Sequence, residues 1–134
     1  MQKHIVVRAH EVTDTLKAAP RSGKNLLPPF DVLNDSRAPL RILEDCGVIN
    51  HPEVHIHEGD LWFCLEGEVH FTCGGELIDK DMVDEHGKEW KAPGIDGGES
   101  FTLRAGDWLW IPAGVPHQHG AKEAARLIII KIPA

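Results

Sequence analysis

Positive charge is scarce in this chain of 134 residues: 14 Lys and Arg stand against 21 Asp and Glu, a formal net charge of −7. An acidic surface argues against a nucleic acid or an anionic membrane as partner. Long apolar runs are missing too. No stretch approaches the roughly 18 residues that span a bilayer. Met1-Gln2-Lys3-His4 is not followed by the apolar core of a signal peptide. The expected location is therefore cytoplasmic. Cysteine is limited to Cys46, Cys64 and Cys73, an odd number without paired metal-site spacing. A disulfide scaffold does not fit that count at this size. Internal repeats and low-complexity tracts are absent.

What is there reads as short strands. From Glu53 onward, Glu53–His57, Leu61–Leu65, Glu68–Cys73, Glu76–Ile78, Ser100–Leu103, Trp108–Ile111, Pro116–His119 and Arg126–Ile132 alternate with glycine turns. That pattern indicates an all-β sandwich or small barrel. Residues 4–8 look like an edge strand. Glu11 to Ala19 fits a short helix, with Thr13 and Asp14 near its start and Pro20 stopping it. Residues 20–37 read as an extended arm with an apolar patch at Leu26, Leu27 and Phe30. The arm packs on its own barrel or on a second subunit. Residues 79–98 are rich in charge and glycine and read as a long loop, a mobile flap over the barrel mouth that Trp90 anchors. One domain is expected, with strand and arm in 1–37 and the barrel in 38–134.

The chemistry concentrates in two stretches. In a strand, residues two apart share a face. His55 and His57 on one strand therefore project together, within reach of one ion. Asp60 follows with a hard oxygen, and Glu58 in the same turn is the competing carboxylate. His117 arrives from the second stretch, after Pro112 and Gly114. His55, His57, Asp60 and His117 make a first shell for a divalent transition metal. His119, two past His117, shares its face and serves as an acid–base group or a further ligand. Trp62, Trp108 and Trp110 are expected in the core. Arg104 and Arg126 are expected in surface ion pairs, with carboxylate binding as their other use.

These stretches resemble the paired motifs of the cupin superfamily, G-x5-H-x-H-x(3,4)-E-x6-G and G-x5-P-x-G-x2-H-x3-N. His55 and His57 match the His pair, Asp60 takes the Glu position and Gly67 closes the first motif. Position 49, where the leading glycine falls, is Ile. Gly106, Pro112, Gly114 and His117 match the second motif in register, and Ala121 replaces its Asn. The resemblance implies a double-stranded β-helix, or jelly-roll, barrel.

It also implies a metal-dependent enzyme acting on a small oxygen-rich metabolite, a dioxygenase first. Fe(II) leads Mn(II), Ni(II) and Zn(II) as the ion, and His119 or Glu58 is the acid–base candidate. A redox-silent isomerase or lyase, or a non-catalytic ligand-binding or sensing module, is the alternative, because fold does not fix function. The partners expected are the small-molecule substrate and a second copy in a homodimer.

Overall fold

A computed structural model describes residues 4–31, 39–82 and 89–134. Among the described residues one helix, α1 (Ala9–Thr15), precedes fourteen strands. These are β1 (Gly23–Leu26), β2 (Leu40–Cys46), β3 (Val48–Ile49), β4 (Glu53–His55), β5 (Glu58–Glu66), β6 (Glu68–Cys73) and β7 (Glu76–Ile78). They continue as β8 (Asp81–Met82), β9 (Glu89–Lys91), β10 (Gly94–Asp96), β11 (Glu99–Arg104), β12 (Trp108–Ile111), β13 (His117–Ala121) and β14 (Ala125–Pro133). No described helix is long and apolar enough to cross a membrane.

Two antiparallel sheets form a jelly-roll barrel. One runs β1-β2-β14-β5-β12. The other runs β11-β6-β13-β4-β9-β8, with β3 beside β13. Strand alternation fills the space between them. Trp62 and Cys64 of β5, Val69 and Phe71 of β6, and Leu127 and Ile129 of β14 point inward and are buried. The inward series continue past this apolar core. On β5 the next inward residue is Asp60, on β14 it is Lys131, and on β13 His117 precedes His119. One end of the barrel is thus polar, and there the site forms.

Gly67 turns β5 into β6 with φ 77, a backbone conformation that suits glycine. A Cβ there would meet the Ala124 carbonyl oxygen at 2.4 Å. At the other end, Gly114 donates its N–H to the His55 carbonyl at 2.7 Å, tying the turn before β13 to the end of β4.

The structure departs from expectation at residues 4–8, in the helix bounds and at Arg126, and it decides between the two alternatives for the arm. Residues 4–8 form no strand, and Val7 instead packs against the cluster of Leu27, Phe30 and Ile42. The helix is shorter than expected and begins earlier, where the Arg8 N–H donates to the Glu11 carboxylate at 2.7 Å. The arm packs on its own barrel. Leu27 and Phe30 bury with Ile42 on the outer face of the first sheet. Arg126 is buried rather than superficial. It pairs with buried Glu44 at 2.7 Å and donates to the Leu16 and Ala18 carbonyls just past the helix end. The three cysteines are unpaired.

Residues 79–98 contribute β8, β9 and β10 rather than a single flap; positions 83–88 lie outside the described residues. Backbone pairing explains this, since a ladder needs peptide groups and not apolar side chains. β9 pairs with β4, Trp90 opposite Val54, and extends the second sheet. Trp108 and Trp110 are exposed, because Leu109 and Ile111 take the inward positions of β12.

Phe30 is fully buried. Replacing it with Ala is expected to cost about 3–5 kcal/mol in urea unfolding. A loss below about 1 kcal/mol would mean that the arm does not belong to its own barrel.

Candidate metal centre

β4 contributes two ligand-type side chains to the polar end. Glu53 and His55 are two residues apart on one strand, so both face inward. β13 brings His117 opposite Glu53. Ligand atoms of Glu53, His55 and His117 all lie within 4.8 Å of one another. The Glu53 Oε1 atom is 3.4 Å from His55 Nε2 and 3.8 Å from His117 Nε2. From β5, Asp60 Oδ2 is 3.6 Å and 3.4 Å from the same two nitrogens. Ligands held at about 2.0–2.1 Å around one ion stand at comparable separations from each other.

Among the described residues, two buried atoms here have no hydrogen-bond partner, Asp60 Oδ2 and His117 Nε2. The other nitrogen of His117 donates to the Val115 carbonyl at 3.0 Å. That bond fixes the tautomer and leaves Nε2 aimed into the cluster, as in metal-bound histidines. The residues therefore fit a divalent ion. Glu53, His55, Asp60 and His117 would hold it.

Electrostatics point the same way. Burial acts to lower the His117 pKa, but the Asp60 and Glu53 carboxylates outweigh it and push it up to about 9. Burial acts to raise Glu53, and the two imidazoles overcome this and hold it well below the usual range. Asp60 is also lowered: burial opposes ionisation, while His117 and Lys131 favour it. Without a metal, the His117 proton is one of the cations that balance these carboxylates. Cys73 sits opposite His117 on β6. Burial, Glu99 and Asp60 raise its thiol to about 11, so at neutral pH it carries its proton.

The structure places the expected site residues unequally. It brings His55, Asp60 and His117 together. His57, expected as a ligand, lies outside the cluster. β4 ends at His55, and the chain bends at 56–57, so the alternation breaks and His57 is exposed. Glu58 stays at the rim, its Oε1 4.0 Å from Lys131 Nζ. His119 faces inward but away from the cluster. Its ring packs against Trp62 and Phe71, and its Nδ1 lies 2.5 Å from buried Asp45. A groove of about 790 Å³ on the second sheet, lined among others by Ile49, His70, Thr72 and Gln118, includes none of the four ligand-type residues.

Sequence reasoning missed Glu53 and Lys131. A signal for Glu53 was present. Sliding the first motif back by two residues puts Gly47 at its leading glycine, Glu53 and His55 at the His pair, and four residues before Asp60. Every gap of the family pattern is then met, with Glu53 in place of the first His. Lys131 had no such signal. Only the cross-strand register sets it opposite Asp60, with Nζ 2.7 Å from Oδ1 and 3.1 Å from His55 Nε2.

No protein-family model and no curated protein sequence matches the chain. Solved structures do. YcfD, a ribosomal oxygenase from Escherichia coli, is similar with TM-score 0.54 and 22% identity, over 71% of this chain and 22% of that one. Protein NMB1881 from Neisseria meningitidis has TM-score 0.54 and 17% identity over 90% of this chain and 95% of its own. CENP-C of Drosophila melanogaster, in its structure bound to CAL1, has TM-score 0.52 and 16% identity over 79% and 70%. The chain shares the fold of these structures, a cupin-type jelly roll. Identities this low speak for the fold alone, and the chain spans only 22% of the ribosomal oxygenase.

Two outcomes are expected. Replacing His117 or Glu53 with Ala should weaken metal binding more than about 10-fold by calorimetry, while His57→Ala stays within about twofold. Chelated protein should show a stability maximum between the ordinary carboxylate and imidazole values, 4.5 and 6.5. The raised His117 contributes stability that is complete below 6.5 and lost as pH climbs through about 9. The lowered Glu53 and Asp60 contribute stability present above their ordinary values and lost as pH falls through the folded ones. Melting temperature against pH checks this, and His117→Gln should flatten the alkaline fall.

Proposed function

We propose that this cupin is a metal-dependent dioxygenase acting on a small oxygen-rich metabolite. Fe(II) is the proposed ion, with Glu53, His55, Asp60 and His117 as its ligands. The observation that carries the reading is the trio of two imidazoles and one carboxylate within 4.8 Å of one another. Two His and one carboxylate, with positions left open, are the donor set of non-haem Fe(II) oxygenases. An ion held there would supply Lewis acidity and, as iron, electron transfer toward O₂.

The chain's own residues prepare the place. The Val115 carbonyl holds the His117 tautomer. Lys131 holds one oxygen of Asp60 and leaves the other toward the imidazoles. Trp62 and Phe71 are buried within the barrel and help keep bulk water from its interior. Asp60 favours a second reading. Another carboxylate suits harder ions such as Mn(II), and with them redox-silent isomerase or lyase chemistry.

Elemental analysis of the purified protein, followed by oxygen consumption with a panel of small acids and diols, separates these readings. A single equivalent of iron and substrate-dependent oxygen uptake are expected, both lost in His117→Ala. Iron without oxygen uptake on any substrate would overturn the dioxygenase. No transition metal at all, even after incubation with Fe(II) or Mn(II), would overturn the metal centre.

A further inference from the structure

We infer that Lys131 determines specificity at this site and selects a small carboxylate over a neutral molecule, an inference that rests on the metal-centre reading above. Lys131 follows Leu127 and Ile129 in the inward series of β14, within the run Ile128-Ile129-Ile130-Lys131-Ile132. A lysine in that position needs an anion, and Asp60 stands directly opposite.

An ammonium carries three donors and no acceptor. One N–H goes to Asp60 Oδ1 at 2.7 Å, and another to His55 Nε2 at 3.1 Å. The Glu58 carboxylate, at 4.0 Å, is beyond hydrogen-bond reach. His55 Nε2 is also the atom that faces Glu53 and Asp60 Oδ2. Its single lone pair cannot serve both an ion and the ammonium. When an ion takes it, one N–H of Lys131 loses its acceptor beside the site.

Glu53 and Asp60 together balance a divalent ion. Lys131 is then in excess, and among the described residues the carboxylate left to face it is Glu58, at 4.0 Å and without a hydrogen bond. Side-chain exposure rises from 1% at His117 and Asp60, through 6% at His55 and 15% at Glu53, to 32% at Lys131. Lys131 is thus the most exposed of these five side chains and lies toward the rim, where Glu58 also stands. A carboxylate supplies both the missing acceptor and the missing charge, in a charge-assisted bond. A neutral ligand supplies at most the acceptor.

The test uses full-length protein loaded with Co(II), titrated with acetate and, separately, with neutral imidazole, and followed by visible absorption. Lys131→Met is expected to weaken acetate binding by about 10-fold or more, the value of one charged hydrogen bond. At cobalt concentrations that saturate both proteins, imidazole affinity should fall several-fold less than acetate affinity, since imidazole does not need the extra charge. Lys131→Arg should recover most of the acetate affinity. Unchanged acetate affinity in Lys131→Met, or equal losses for acetate and imidazole, would overturn the inference and leave the metal centre standing. Failure of the wild-type protein to take up cobalt would overturn the metal-centre reading and this inference with it. Circular dichroism checks folding, and Lys131→Gln carries the same comparison if the Met variant does not fold.

Discussion

Two carboxylates brought to the same two imidazoles at the end of a closed barrel are the constraint on which this structure turns. Asp60 is buried and Glu53 nearly so. Negative charge in such a place is unfavourable unless cations stand beside it. The fold brings one from β14 as Lys131, and His117 can carry a second as its proton. A divalent ion can take the place of that proton, because it would use the same nitrogen. The His117–Val115 bond and the Gly114–His55 bond then gain a common meaning: both fix ligand atoms where charge has to be neutralised.

Much of this was legible in the sequence, and the unequal success has a physical cause. The second motif reads in register because turns fix it. Pro112 and Gly114 shape the approach to β13, and no strand parity has to be assumed across a bend. The first motif was read through parity alone. His55 and His57 share a face only if one strand holds both, and the chain bends between them. Alternation is a property of extended backbone and ends where the strand ends. The same rule, applied one step upstream, pairs His55 with Glu53.

Residues 79–98 show what composition leaves out. Charge and glycine predict little apolar burial, which is a statement about side chains. β9 is held to β4 by peptide groups, and Trp90 opposite Val54 adds an apolar contact that a composition count averages away. Trp108 and Trp110 show the converse. Their size suggests a core, yet β12 gives its inward positions to Leu109 and Ile111. Trp108 instead packs against Phe63 on the outer face, ring centroids 4.4 Å apart. Parity outranks hydrophobicity once the neighbouring strand fixes which side is in.

The departures from the family pattern are coupled to each other. Glu53 in place of a histidine adds a negative charge to the donor set. Asp60 in place of a glutamate keeps its charge but is one methylene shorter, so its reach is set by the backbone of β5 more than by its own rotamers. A short carboxylate can still present one oxygen to an ion if its other oxygen is held. Lys131 does this from the neighbouring strand at 2.7 Å. Glu53, Asp60 and Lys131 therefore form a set. Restoring histidine at position 53 while keeping Lys131 would leave one negative side chain beside two positive groups, the lysine and the ion. Removing Lys131 while keeping Glu53 would leave the two carboxylates and the ion to balance without it, and Asp60 without its second anchor. Each change makes physical sense in the company of the others, which is why a pattern match scored position by position finds defects where the folded site has compensation.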